Sequence, residues 1–174
     1  MIKNKFVLAA VLCASLSVSA LTACTAAESG SGDTAADQAA IASYNTQLFS
    51  LLMNKKSPVD GKNHYQKEFD LAFDTLLAKS ALAKSTKLAV PLKKRLLSGP
   101  QPEPAVVQDK HSGRQYVYYE ACQSHACDET NLALLYAPVS KTMLARLHLD
   151  GKDEYLGDPS PAEKTLLDHP KNAP

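Results

Sequence analysis

The spacing of apolar residues changes at Pro104, and this change limits the chain to folds that contain both helices and a sheet. Before Pro104, apolar residues such as Phe69, Phe73 and Leu76 recur at the helical period, which is typical of an amphipathic helix. After it, apolar and polar residues alternate, as they do along strands that bury one face. The pattern predicts strands at residues 105–108, 115–122, 132–136 and 143–149, and a short one that begins at residue 155.

Short turns connect these predicted strands. His111-Ser112-Gly113 and Asp150-Gly151 carry the residue types that favour turns. Parallel strands need long crossover connections, so strands joined by short turns pair antiparallel. We therefore predict an α+β fold with an antiparallel β-sheet of about five strands and helices packed on its faces.

Helices are predicted before and after the sheet. Apolar periodicity indicates one helix over residues 39–53 and another over residues 65–77. The basic segment over residues 84–96 is interpreted as a solvated face around a few leucines. Ser160 and Glu163 form the sequence signature of a capping box, which predicts a short final helix.

The first residues of the chain have the pattern of an export signal. Lys3 and Lys5 precede an uncharged apolar stretch over residues 6–16, which is too short to span a membrane. The stretch is followed by Leu21-Thr22-Ala23-Cys24, which resembles a bacterial lipobox, in which the cysteine receives a diacylglycerol before cleavage. This predicts a lipoprotein signal peptide over residues 1–23.

Lipidation of Cys24 would anchor the mature protein in the cell envelope. Thr25 stands where an Asp would favour the inner membrane, so the sequence favours the outer membrane, facing the periplasm. Residues 24–38 are rich in small residues and predict a flexible tether, which leaves residues 39–174 as the folded domain. The alternative is an export signal without lipidation.

The charge balance gives no reason to expect a nucleic-acid partner. The chain of 174 residues has a formal net charge of +1. Removal of Lys3 and Lys5 reduces its 19 basic side chains to 17, against 18 acidic ones. A nucleic-acid-binding domain is usually clearly basic. The sequence contains neither a phosphate-binding Gly loop nor a recognisable nucleophile–base–acid set, so no enzymatic activity and no cofactor are predicted.

Cys122 and Cys127 enclose a short loop between two predicted strands. They remain once Cys13 is removed with the signal peptide and Cys24 is lipidated. Facing residues of antiparallel strands lie about 4.5–5.5 Å apart at Cα, within reach of a disulfide, and an exported protein meets an oxidising environment. We predict a disulfide between them that closes a ring of six residues, in which His125 is the only titratable side chain.

The residues of this loop allow other interpretations. Cys122, His125 and Cys127 could bind a metal, although all three ligands lie within six residues and no second pair exists. A redox dithiol normally has two residues between its cysteines, and a haem attachment site needs Cys-x-x-Cys-His. Four residues separate Cys122 from Cys127, so neither motif is present. The disulfide could also only pin a hairpin, with His125 as a solvated loop residue.

The loop and its flanks resemble the Ivy family, the inhibitors of vertebrate lysozyme. The resemblance rests on residues 118–136, which read Tyr-Tyr-Glu-Ala-Cys-Gln-Ser-His-Ala-Cys-Asp-Glu-Thr-Asn-Leu-Ala-Leu-Leu-Tyr, and it is weaker over residues 65–168. The family motif is commonly written Cys-Lys-Pro-His-Asp-Cys and lies between two strands. The resemblance implies that the disulfide-closed loop protrudes and that His125 enters the lysozyme cleft to engage its two catalytic carboxylates.

Three ring positions depart from the family motif, where its Lys, Pro and Asp are replaced by Gln123, Ser124 and Ala126. The absent Asp removes a negative charge beside the histidine. Nearby acids are expected to supply negative charge instead and to speed the approach of a cationic lysozyme: Glu120, Asp128 and Glu129.

The resemblance thus implies a binding protein that inhibits C-type lysozyme and protects peptidoglycan. A second function for the same loop is control of the cell's own lytic transglycosylases, which also depend on a catalytic carboxylic acid. A metal-binding protein that uses Cys122, His125 and Cys127 is the remaining alternative. The oligomeric state of the family is not carried over to this chain.

Overall fold

The sheet expected from the alternating residues is present in a computed structural model of the chain, which describes residues 34–169. Its five strands are antiparallel and neighbour one another in sequence order. The predicted α+β fold is therefore confirmed. The elements are α1 (Ala35–Tyr44), α2 (Leu48–Leu52), α3 (Lys67–Ala78), α4 (Ala81–Ser85), α5 (Leu92–Leu96), β1 (Ala105–Gln108), β2 (Gln115–Cys122), β3 (Thr130–Ala137), β4 (Thr142–Leu149), β5 (Lys152–Leu156) and α6 (Pro161–Asp168).

The turn between β4 and β5 shows why successive strands pair so simply. Leu149 and Lys152 are register partners, so only Asp150 and Gly151 lie between the strands. Both have positive φ, at 50° and 75°, as the two central residues of a type I′ turn require. The turn predicted at this dipeptide is confirmed, and its twist matches that of the strands it joins.

The sheet is covered on both faces, because neighbouring side chains of a strand point to opposite sides. Val117 and Tyr119 of β2 pack in the core under α1, α2, α3 and α5. Tyr116 and Tyr118 lie in a second core, which contains Leu167 of α6. Burial on both sides makes the central strands a firm support for the loop at their end.

Aromatic rings form the centre of the larger core. Phe69 of α3 is fully buried. Its ring lies 4.8 Å from that of Tyr136 at an interplanar angle of 85°, and 5.9 Å from that of Tyr119. The ring of Tyr44 lies 4.8 Å from that of Tyr136. These tilted and edge-to-face contacts join α1 and α3 to the sheet.

The predicted tether ends earlier than the sequence indicated. Thr34 caps α1, and its hydroxyl and amide exchange hydrogen bonds with Asp37, so residues 35–38 are helical rather than flexible. The rest of the tether, the signal peptide and the lipidation site Cys24 lie outside the described residues. Within residues 34–169, no helix is long and apolar enough to cross a membrane.

The single helix predicted over residues 39–53 is wrong, since two helices occupy this segment. The carbonyl of Tyr44 accepts a hydrogen bond of 2.6 Å from the Tyr119 hydroxyl. It also accepts a 2.8 Å bond from the amide of Thr46, which closes a tight turn. The chain thereby changes direction, and α2 can bury Leu48 and Leu51.

The capping box predicted at Ser160 is confirmed. The Ser160 hydroxyl accepts the Glu163 amide, and the Ser160 amide donates to the Glu163 carboxylate at 2.7 Å. The other carboxylate oxygen of Glu163 accepts a hydrogen bond from the Tyr116 hydroxyl of β2. One carboxylate therefore caps α6 and also attaches it to the sheet.

Replacement of Glu163 by Gln is expected to destabilise the fold in a pH-dependent way. Burial raises the pKa of Glu163, but hydrogen bonds from Tyr116 and Ser160 outweigh burial and hold the pKa below its ordinary value. Such a group stabilises the fold above its unfolded-state pKa, and this contribution is lost as pH falls through the folded-state pKa.

Glu163→Gln should therefore lower the free energy of unfolding by about 1–2 kcal/mol at neutral pH. The difference from wild type should shrink as pH falls below the ordinary pKa of Glu, about 4.3, and through the lower pKa of the native carboxyl. Urea unfolding at a series of pH values measures this difference. An equal loss at every pH would contradict the role of the charged form.

Candidate functional site

The predicted disulfide between Cys122 and Cys127 is formed, with an S–S distance of 2.02 Å and a Cα–Cα distance of 4.9 Å. From the sequence we expected the two cysteines to face each other on two paired strands, and this expectation is wrong. Cys122 ends β2 and pairs with Asn131, whereas Cys127 lies in the loop before β3. The loop folds back on itself through consecutive turns, and this brings the two sulfurs together.

The tip of the ring is a tight turn that presents His125 to solvent. The Ala126 amide donates to the Gln123 carbonyl at 3.1 Å, so Ser124 and His125 are its central residues. His125 has a φ of 62°, a conformation that most side chains avoid but that His tolerates better than β-branched residues do. His125 is exposed, and no group within residues 34–169 hydrogen-bonds to its imidazole.

The end of α5 braces the ring from one side. Arg95 donates from Nε to the Gln123 side-chain oxygen at 2.5 Å and from Nη2 to the Thr130 hydroxyl at 3.1 Å. The Ser98 hydroxyl accepts the Ser124 amide at 3.0 Å. These contacts fix both the start of the ring and the start of β3, and they reduce the number of conformations that the tip can adopt.

The bracing contacts involve two of the three ring residues that differ from the family motif. Gln123 provides the acceptor for Arg95. Ser124 provides an amide for Ser98, and a proline at the same position has no N–H to donate. Hydrogen bonds from a distant segment thus restrict this turn, at a position where the family motif has a proline ring.

The solvated face predicted for the basic segment over residues 84–96 is only partly correct. Lys84, Lys87 and Lys94 are exposed. Lys93, by contrast, is half-buried and forms ion pairs with Asp70 and Asp74 of α3. Arg95 is also half-buried and holds the loop. Sequence periodicity carries no signal for these contacts, because their partners lie far away along the chain.

Gly99 lies so close to Cys122 that no larger residue fits. Its amide donates to the Cys122 carbonyl at 3.0 Å. A Cβ at position 99 would lie 2.4 Å from that carbonyl oxygen and 3.1 Å from the Cys122 sulfur. The loop that follows α5 is therefore packed directly against the base of the disulfide ring.

Substitution Gly99→Ala is expected to lower the free energy of unfolding by about 1–3 kcal/mol, since the backbone must move to relieve the overlap. The same movement should shift the neighbouring Ser98 and weaken its hydrogen bond to the Ser124 amide, which would loosen the ring. Thermal unfolding with a far-UV circular dichroism readout measures the loss. A melting temperature equal to that of wild type would show that this close approach is not required.

The three acids expected to support the loop lie on two different surfaces. Asp128 and Glu129 are exposed in the turn that directly follows Cys127. Glu120 instead belongs to the sheet face that carries Tyr118, whose hydroxyl donates to it at 2.8 Å. Asp128 and Glu129 therefore extend the exposed surface of the ring, whereas Glu120 lines a cavity beside the disulfide.

A basic depression adjoins the ring on the side of α5. It is a cavity of about 560 Å³, and Lys87, Lys94 and Arg95 line it together with Gln123 and Ser124 of the ring. The surface around His125 thus carries both signs of charge. Asp128 and Glu129 lie in the turn after the ring, the bases lie along the bracing segment, and one further acid, Asp150, also lines the depression.

The structure leaves no thiolate for the alternative metal site at Cys122, His125 and Cys127. The two sulfurs are bonded to each other. In the part of the chain that the structure describes, no group of three His, Cys, Asp or Glu side chains is placed to hold a metal ion. The loop is therefore described by its disulfide and its exposed imidazole.

Comparisons with models of protein families, with curated proteins and with solved structures give no match to this chain. The resemblance to the Ivy family thus rests on the loop residues and their flanks alone. The function that this resemblance implies has to be argued from the physical properties of the loop.

Proposed function

We propose that this chain is a proteinaceous inhibitor of C-type lysozyme that inserts its disulfide-closed loop, with His125 at the tip, into the active-site cleft. The observation that carries the proposal is the exposed imidazole on a turn held at both ends, by the disulfide and by α5. The protein would reach the envelope as a lipoprotein anchored through Cys24, at the periplasmic side of the outer membrane, and protect peptidoglycan there.

The chemistry of the lysozyme cleft suits an imidazole. Lysozyme holds one carboxylic acid protonated and one carboxylate ionised, so its two catalytic groups have different roles. A neutral imidazole has one N–H donor and one acceptor nitrogen. The imidazole of His125 would donate to the carboxylate and accept from the acid, and would thereby occupy the position of the scissile sugar bond.

The braced loop favours tight binding, because little conformational freedom remains to be lost on association. The turn is closed by the Ala126–Gln123 hydrogen bond and the disulfide. Ser98 and Arg95 hold it from outside. A small rigid anchor that enters a deep cleft is a typical binding hot spot.

The charges around the ring favour some target enzymes over others. Asp128 and Glu129 attract a cationic lysozyme. Lys87 and Lys94 lie beside the same loop and favour an acidic rim on the partner. This basic depression is a specific reason to retain the cell's own lytic transglycosylases as a second candidate target.

A cell-wall clearing assay with purified protein tests the proposal and compares the two targets. A C-type lysozyme and a lytic transglycosylase are each titrated with the protein, and the clearing rate is followed. We expect stoichiometric loss of lysozyme activity. Inhibition of only the transglycosylase would move the target to the second candidate, and full activity of both enzymes in excess protein would refute the inhibitor function.

A further inference from the structure

A second cleft is lined by both cysteines of the disulfide, whereas Gln123 and Ser124 of the ring line the basic depression. On the sheet face that α6 packs against, the helix covers the region of Leu135 and Leu144. Nearer the ring the same face forms a cavity of about 490 Å³. This volume lies within the range of sites that bind small molecules.

Most of the lining of this cleft is apolar, and one of the strand residues that line it has a small side chain. Pro100 and Pro102 belong to the loop after α5, and the disulfide of Cys122 and Cys127 contributes to the lining as well. Ala133 of β3 lies on the floor and is buried. A ligand segment with small apolar side chains would fit between such walls better than one with large or charged side chains.

Two opposite charges flank the floor of the cleft. Glu120 of β2 and Arg146 of β4 are both register partners of Ala133, one on either side. Neighbouring strands are about 4.8 Å apart, so the two charged residues lie about 10 Å apart across the sheet. Because Ala133 has a small side chain, no bulky group stands between Glu120 and Arg146.

Within residues 34–169, one of these two charged side chains has no ion-pair partner and the other has one long ion pair. Glu120 accepts only the Tyr118 hydroxyl and has no ion-pair partner in this part of the chain. Arg146 contacts Asp168 from Nη1 at 3.4 Å, and that carboxylate also accepts the Tyr155 hydroxyl. The cleft thus offers a carboxylate at one side and a guanidinium at the other.

Two buried polar atoms on cleft residues also lack hydrogen-bond partners among the described residues. They are Nε of Arg146 and the side-chain oxygen of Gln101. An unpaired buried donor or acceptor is costly. A side-chain shift that pairs either atom with a ligand would therefore be favourable, and no internal hydrogen bond of these atoms opposes it.

We propose that this cleft binds short zwitterionic peptides with small apolar side chains. The peptide carboxylate would bind the guanidinium of Arg146, where two parallel N–H donors suit a carboxylate. The peptide ammonium would bind Glu120. An extended chain spans at most about 3.3–3.6 Å per residue, so a tripeptide reaches about as far as the distance between the backbones of these two residues.

Titration of the purified protein with tri-L-alanine, followed by NMR chemical shifts or calorimetry, tests this proposal. Three further probes are the N-acetylated, the C-amidated and the doubly blocked tripeptide. We expect saturable binding of the free tripeptide with a dissociation constant of about 1 mM or below, and at least about tenfold weaker binding when either terminus is blocked.

Two variants connect each terminus to its residue. In Glu120→Gln, the free and the N-acetylated peptide should bind equally, while amidation still weakens binding. In Arg146→Gln, the free and the amidated peptide should bind equally, while acetylation still weakens binding. If a variant fails to fold, the blocked probes on wild-type protein still test whether binding needs both peptide termini.

Glu129→Gln is the matched control, because Glu129 is an exposed acid outside the cleft, and it should bind all four probes like wild type. His125→Asn should also retain peptide binding, since the inference does not depend on the proposed inhibitor function. Absence of saturation with the free tripeptide, or equal affinity for all four probes on wild type, would overturn the proposal.

Discussion

Replacement of His125 by Asn is expected to weaken inhibition of C-type lysozyme by at least about a hundredfold, as loss of a central hot-spot side chain commonly does. Asn keeps a polar side chain and tolerates positive φ, so the turn with φ of 62° at this position should persist. The variant removes the imidazole that would lie between the two catalytic carboxylates. Inhibition constants from clearing rates measure the effect, and the melting temperature should equal that of wild type.

His111→Asn is the matched control for this experiment. His111 is also exposed and lies in the turn before β2, whereas His125 lies in the loop after β2, so the two histidines are at opposite ends of the strand. The control should inhibit like wild type. Equal inhibition constants for wild type and His125→Asn would exclude the imidazole from the mechanism, even if the protein proved to be an inhibitor.

Removal of the disulfide in the double variant Cys122→Ala, Cys127→Ala is expected to lower both stability and inhibition. A ring of six residues contributes about 2 kcal/mol to the free energy of unfolding in the chain-entropy model. β2 and β3 should still pair, because their hydrogen bonds and cores do not depend on the bridge. Inhibition should weaken at least about tenfold, since the freed loop must be ordered again on binding.

The left-handed backbone at His125 gives the reason for the loss of inhibition. A non-glycine residue in that conformation costs roughly 1–2 kcal/mol, and without the bridge the turn can relax to a cheaper one. The remaining contacts from Arg95 and Ser98 hold Gln123, Ser124 and Thr130, but none of them reaches His125. Urea unfolding and clearing rates measure the two effects separately.

A combined variant tests whether the disulfide acts through His125. In the protein without the bridge, the further change His125→Asn should have a much smaller effect than it has in wild type, because groups that act as a unit are not additive. Reduced wild-type protein should behave like the double cysteine variant. Full inhibition by either form would contradict the role of the closed ring.

The sheet and the ring could be predicted because their signals are local. Alternation over residues 115–122 matches the bounds of β2, and the Asp150-Gly151 turn follows from the φ values that its residue types tolerate. The capping box at Ser160 also depends on residues three positions apart. Each of these features is set by neighbours in the sequence.

The bracing of the loop could not be predicted, because Arg95, Ser98 and Gly99 reach it from a distant part of the chain. The break after Tyr44 likewise depends on a hydroxyl of β2. Glu120 is a different case. Strand alternation already places it on the same face as Tyr118 and Cys122, so its position on the sheet face beside the disulfide could have been inferred from the sequence.

Binding to lysozyme with the cleft either empty or filled by a chitooligosaccharide tests the inhibitory mode of the loop most directly. Calorimetric titration of a C-type lysozyme should show one-to-one binding of the protein when the cleft is empty. A saturating oligosaccharide should abolish or strongly weaken that binding, because His125 and the sugar would occupy the same place. Binding that is unaffected by the oligosaccharide, or no binding to the empty cleft, would contradict the insertion of the loop into the active site.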